Sequence, residues 1–446
     1  MTVDLVLKDL KAYIDGAVQE CCIAVENGTV HKVGKEAQMP KADTVLSLNG
    51  LLVLPGLIDV HVHLRDEGKA YKEDFYTGTA AAAAGGFTTV LDMPNNTPVT
   101  MSVETLENRM ANARGKILVN VGFYSEFPKD PREIEKIIAG GAVAFKLYLG
   151  EQVGGLNIDD DHALKYAFKT VASRVPIAVH AEDKNMLKRM EEELKGKGRN
   201  DIEAFLEAHS ERAEASAVRR LVKIAEKTSA KVHFCHISTK QGLEIIHKAK
   251  EKGLALTCEV TPHHLFLSVD DLKRVGTVAL TAPPLRDKSH VDFLWKSLKN
   301  GLIDVVGSDH APHTLAEKSA ASVWEVKVGI PGLETTLPLM LTAVNSGALS
   351  LGDVVRMLAE NPARVFKLKG RGAIKEGGKA DFVAVDMGEE YCIDASKFHS
   401  KAKFSPFNGK RVKGKPVKTF VAGQLVVDRG EIVAEAGCGK IILGEG

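Results

Sequence analysis

No apolar run in this 446-residue chain approaches the roughly 20 residues a membrane-spanning helix needs. The opening MTVDLVLKDLKAYIDG scatters charge every few residues, so no secretory leader is expected. An excess of either charge is missing too. With 59 basic against 58 acidic residues, nucleic acid and anionic membranes are poor partners. Cysteine is sparse: Cys21, Cys22, Cys235, Cys258, Cys392 and Cys438 form neither a disulfide framework nor a CxxC zinc knuckle, and the expectation is a reduced, cytoplasmic chain. No glycine-rich phosphate loop follows an apolar run, which argues against an open doubly wound sheet.

What the chain does have is alternation. Short apolar or β-branched runs recur through its middle: GLIDVHVH (56–63), FTTVLDM (87–93), ILVNVGFY (117–124), AVAFKLYL (142–149), PIAVHAE (176–182), KVHFCHIS (231–238), LALTCEV (254–260) and IDVVGSD (303–309). Stretches of helical periodicity separate them, such as EDFYTGTAAAAAG and SERAEASAVRRLVKIAEKT. Eight such units predict an α/β chain built as a (β/α)8 TIM-type barrel. Both ends read differently, as strands and turns, with Asn27-Gly28 and Ala422-Gly423 at hairpin positions. The expected organisation is a barrel over 54–369 and one small β-rich domain assembled from 1–53 and 370–446.

In such barrels chemistry sits where strands end. His61 and His63 end the first strand, and residues two apart on a strand share a face, so both can bind one metal. Lys146 interrupts the fourth strand, His180 ends the fifth, His236 the sixth and Asp309 the eighth. Four imidazoles and a carboxylate suit divalent ions of the zinc class. Lys146 has two readings: a snorkelling or ion-paired lysine, or one converted by carbon dioxide to a carbamate, an anionic oxygen donor able to bridge two metals. Arg65 falls just beyond the metal set, where a guanidinium fork would bind a carboxylate. Asn95 and His313 could complete a carboxylate pocket. His233 and Cys235 should face away from His236 by strand alternation, and His263-His264 read as loop groups.

Taken together, GLIDVHVHLRD, DMPNNTP, FKLYL, VHAED, FCHIST, EVTPHHLFL, SDHAPH and GIPGLETTLPL resemble the type I dihydroorotase family of the amidohydrolase superfamily, in order from about residue 50 to 370. The resemblance implies a metal-dependent enzyme of pyrimidine (UMP) biosynthesis acting on a small molecule. Hydantoinase, dihydropyrimidinase or allantoinase chemistry on the same centre, and a non-catalytic scaffold, are the alternatives. It also implies His61, His63 and Asp309 on one metal, and carbamylated Lys146 bridging to a second held by His180 and His236. A hydroxide shared by the two metals would attack the ring amide, with Asp309 as proton shuttle. His63, Arg65, Asn95, His313 and the Pro331-Gly332 turn are the implied substrate contacts. In some relatives the Cys235 and Glu259 positions carry an additional zinc. Ala282 stands where the family often has Asn or Arg, so a substrate contact is either missing or supplied by Arg286. Partners implied are a second copy of the chain or aspartate transcarbamoylase.

Overall fold

The computed structural model describes residues 2–445. Eight strands alternate with helices through the middle of the chain: β1 (Leu57–Val62), β2 (Phe87–Asp92), β3 (Asn120–Glu126), β4 (Ala144–Tyr148), β5 (Ile177–His180), β6 (Val232–Phe234), β7 (Leu256–Val260) and β8 (Val305–Val306). Each lies parallel to the next. The ring closes where Val62 bridges His310 and the His63 N–H donates to the His310 carbonyl at 2.8 Å. This is the (β/α)8 barrel read from the apolar runs, and every one of those runs overlaps a strand.

Local chemistry explains the elements. Barrel strands covered on both faces must be apolar throughout, and all of β1, β2 and β4 is buried. The helix Phe75–Ala84 starts where the Asp74 side chain accepts from the Thr77 N–H and stops at Gly85. The long helix Glu211–Thr228 turns Val218, Leu221 and Ala225 inward at helical spacing.

The two ends of the chain build one mixed sheet. Its seam is the antiparallel pairing of Leu52–Pro55 with Phe382–Cys392, over a core that includes Leu7, Ile23, Val53 and Phe420. Both turns expected from the sequence are left-handed: Asn27 and Gly28 have φ of 53° and 70°, Ala422 and Gly423 of 49° and 78°. They also touch, since a Cβ on Gly28 would lie 3.0 Å from the Ala422 Cβ. The last strand departs from the expected plan. Ile441–Ile442 runs parallel to β3 beside Val121 and Gly122, so the tail returns to the barrel rather than the terminal sheet.

The contact between the two turns gives a test of how the ends lock together. Gly28→Ala should lower stability by about 1–2 kcal/mol, because it adds a Cβ at positive φ against a packed neighbour. A shifted denaturant midpoint with activity preserved in the native range is the expected outcome.

Candidate metal centre

The barrel mouth gathers the chemistry. His61, His63, His180, His236 and Asp309 all line one cavity of about 370 Å³, together with Arg65, Asn95 and Tyr148. Lys146 lies fully buried on β4, two residues before Tyr148. Two backbone kinks bring distant groups in. His236 and Asp309 follow their strands at φ of 34° and 46°, a region L-residues adopt only when their surroundings enforce it.

The donor atoms face one another in a way that uncharged contacts do not explain. His61 Nε2 and His63 Nε2 each lie 3.3 Å from Asp309 Oδ1. The other nitrogen of each ring is committed: His61 Nδ1 donates to Glu259, and His63 Nδ1 donates to Asn95 Oδ1 at 2.7 Å. With the ring protons fixed there, two nitrogen lone pairs point at a carboxylate oxygen. On the other side of the cluster His180 Nδ1 lies 3.1 Å from His236 Nε2. His236 Nδ1 is buried with no partner among the described residues. His61, His236 and Asp309 present ligand atoms within 4.8 Å of one another.

Burial sets the electrostatics. It holds the His61, His63 and His236 imidazoles below their usual pKa, aided by the Lys146 charge, so they stay neutral and keep their lone pairs. Burial likewise raises the Asp309 carboxyl, although His61 and Lys146 oppose it. Converging lone pairs with only neutral or anionic donors fit a divalent cation.

Lys146 itself has one hydrogen-bond partner, Cys235 Sγ at 3.0 Å, and no carboxylate within ion-pair reach among the described residues. Burial pushes the Cys235 thiol up to about 12, so it stays protonated and offers the ammonium no counter-charge.

Strand alternation does not carry past the end of β6. Cys235 meets Lys146, and His233 Nε2 lies 3.2 Å from Glu259 Oε2, so both point into the barrel beneath the site. The expectation that they face away is corrected. β6 ends at Phe234, and the left-handed turn at His236 swings that imidazole in alongside its neighbours.

The substrate contacts divide. Arg65, Asn95 and Ala282 reach the cavity, but His313, Pro331, Gly332 and Arg286 do not line it. His313 donates Nε2–H to the Val328 carbonyl at 2.9 Å and accepts from Lys72 Nζ at 3.0 Å, so both nitrogens are occupied. Gly332 packs on the Ser308 backbone and donates to His310 Nδ1, while Gly329 and Val328 form the wall. Arg286 is drawn off to Ser238 Oγ and the His209 carbonyl, so it does not replace the side chain missing at Ala282.

Arg65 is the unusual group. It is buried, its Nε has no partner, and no carboxylate lies within ion-pair reach among the described residues. Burial lowers its pKa, as expected of an uncompensated guanidinium. Arg65, Asp66 and Glu67 are three consecutive left-handed residues with φ of 57°, 52° and 49°. Such a run costs about 1–3 kcal/mol per residue and persists only where neighbours enforce it.

Two supporting acids, Asp59 and Glu182, are absent from the sequence reading. Asp59, two residues before His61 on the same strand face, accepts from the His61 and Ser308 N–H groups, and burial pushes it up to about 7. Glu182 bridges His180 Nε2 at 3.0 Å and His209 Nδ1 at 2.9 Å. In each case an acid two residues from a strand-end histidine was the available signal. Glu259 links His61, His233 and the His236 N–H.

Comparison with known proteins agrees with this geometry. The amidohydrolase family model matches residues 52–426, and the chain belongs to that family. It is 35% identical to a dihydroorotase of Methanosarcina mazei, over 99% of this chain and 98% of that one. It is 37% identical to a dihydroorotase of Methanothermobacter thermautotrophicus over 92% of each. Among solved structures, the L-hydantoinase (dihydropyrimidinase) from Arthrobacter aurescens superposes with a TM-score of 0.95 at 32% identity, covering 99% of this chain and 100% of its own. Family and donor set together make the barrel mouth a divalent-metal centre.

Glu259 should matter for the metal without touching it. Glu259→Gln is expected to weaken divalent-ion affinity about 10–100-fold in a calorimetric titration, since it loosens the group that orients His61. Unchanged affinity would mean that Glu259 only fills the barrel.

Proposed function

We propose that this chain is a dihydroorotase, interconverting L-dihydroorotate and N-carbamoyl-L-aspartate by opening and closing a cyclic amide. The observation that carries this reading is Arg65, a buried guanidinium at the cavity wall with no anionic partner among the described residues. Dihydroorotate carries a carboxylate to fill that fork; hydantoin and dihydrouracil do not. A cavity of about 370 Å³ suits one small ring.

In this reading His61, His63, Asp309, His180 and His236 would hold two divalent ions, with Lys146 contributing as its carbamate. The fully buried amine with no carboxylate partner among the described residues supports that modification, because conversion by carbon dioxide would give an anionic oxygen ligand at that position. Ions of the zinc class supply a Lewis acid for the ring carbonyl and make water acidic enough to be a nucleophile near neutral pH.

The chain's own groups do the rest. Arg65 and Asn95 fix the ring at the wall, so the amide carbonyl faces the imidazole cluster. Asp309, made more basic by burial, accepts a proton from the attacking water and passes it to the departing ring nitrogen. Ring closure runs the same transfer backwards. Tyr148, whose buried hydroxyl has no partner among the described residues, lines the cavity beside this path. The same reading places the enzyme in pyrimidine synthesis within the cytoplasm. All six cysteines are free, as a reducing compartment requires, and no described helix is long and apolar enough to cross a membrane.

Steady-state kinetics test this. The wild-type chain should turn over dihydroorotate in preference to hydantoin. Arg65→Ala should raise KM for dihydroorotate about 10–100-fold, the cost of a lost charged hydrogen bond. Asp309→Asn should lower kcat about 100-fold or more. Preference for hydantoin, with Arg65→Ala silent, would make the chain a hydantoinase instead.

A further inference from the structure

The left-handed run that carries Arg65 needs something to enforce it, and one buried side chain grips both of its ends. Arg109 lies on the helix Val103–Ala113, behind the loop. Its Nε and Nη2 donate to Asp92 Oδ2 at 3.0 and 2.7 Å, and its Nη1 donates to Glu67 Oε2 at 3.1 Å. Asp92 in turn accepts the Leu64 N–H on its other oxygen, Oδ1, at 2.8 Å. Leu64 immediately precedes Arg65, and Glu67 is the last of the left-handed residues. A single guanidinium therefore ties the entry of the run, through Asp92, to its exit at Glu67.

The arrangement is tight. Arg109 and Asp92 side chains are each 1% exposed, and the guanidinium sits 4.5 Å from the centre of the Phe75 ring. Neither Arg109, Asp92 nor Glu67 lines the cavity, so none of them touches substrate. Asp66, between the two ends, is held separately by Asn112 and by the Phe75 N–H. Without Arg109 the loop would keep these contacts, together with Lys116 on Asp66 at 3.3 Å and Asn96 Nδ2 donating to Glu67 Oε2 at 3.2 Å, but it would lose the one side chain that joins Asp92 to Glu67.

We propose that Arg109 is a positioning residue that holds Arg65 in its carboxylate-binding pose by clamping Asp92 and Glu67 on either side of it. This rests on the reading of Arg65 as the substrate carboxylate's partner. Planarity is the point: the fork reaches two acids in different directions at once, whereas a lysine ammonium is one compact charge on a flexible stem. Arg109→Lys thus keeps the charge and removes the clamp. Glu67→Ala, at the more accessible end, releases only the exit of the run and leaves the buried Arg109–Asp92 pair intact.

The test is a mutant cycle on purified, metal-loaded enzyme. Arg109→Lys is expected to raise KM for dihydroorotate about fivefold or more with kcat little changed, and Glu67→Ala to shift KM in the same direction. In an Arg65→Ala background neither change should lower kcat/KM further, because the group being positioned is already gone. A loss of kcat/KM that persists in that background overturns the proposal, as does an unchanged KM in the single variants. Should Arg109→Lys fail to fold, Glu67→Ala with and without Arg65→Ala decides by the same readouts. A wild-type chain with no preference for dihydroorotate over dihydrouracil overturns the functional reading and this inference with it. A wild-type preference that both variants leave intact overturns this inference alone.

Discussion

Nitrogen lone pairs and a carboxylate oxygen are pressed together at the mouth of this barrel, and most of the surrounding structure exists to keep them there. Two imidazole nitrogens at 3.3 Å from one Asp309 oxygen, with no proton left to share, repel one another unless a cation lies between them. The orientation is imposed from behind. Asn95 and Glu259 take the ring protons of His63 and His61, and Asp59 holds the backbone beneath His61. Loss of these outer contacts would let the rings rotate until the repulsion vanished, and with it the affinity for metal.

The barrel supplies positions that no local segment could. Residues from β1, β4 and β5, and from the turns after β6 and β8, meet although they lie up to about 250 positions apart in the chain. Closure through Val62 and His310 places the first and last strands side by side, so that His63 and Asp309 become neighbours. The terminal sheet seals the opposite region of the molecule, where Asp381 holds Asn120 of β3 at 3.3 Å and the Ala422 N–H at 2.7 Å.

Much of this was legible in the chain alone, for identifiable reasons. Barrel strands are uniformly apolar, so a histidine, lysine or aspartate ending such a run stands out: His61, His63, His180, His236 and Asp309 all line the mouth, while Lys146 is fully buried on β4. Alternation along a strand misled only where the strand had already ended. The positive φ at His236 brings His233, Cys235 and His236 to the same interior, which period-two reasoning forbids. The fate of long side chains was harder to read. His313 and Arg286 both stood at plausible spacings, yet His313 is held by the Val328 carbonyl and Lys72, and Arg286 by the His209 carbonyl and Ser238, and neither lines the cavity. Nothing in residue type or spacing reveals which carbonyl a flexible side chain will reach. The left-handed run at Arg65 was also hidden, because Arg, Asp and Glu carry no glycine-like mark of positive φ.

The claim on which the account turns is that these side chains bind divalent cations together. Elemental analysis of the purified protein by plasma mass spectrometry, beside intact-mass measurement under native conditions, tests it most directly. The account predicts about two equivalents of divalent metal per chain and one added carbon dioxide, with both reduced in Lys146→Ala. A fully active chain carrying no divalent metal, at the mass of its unmodified sequence, would contradict it.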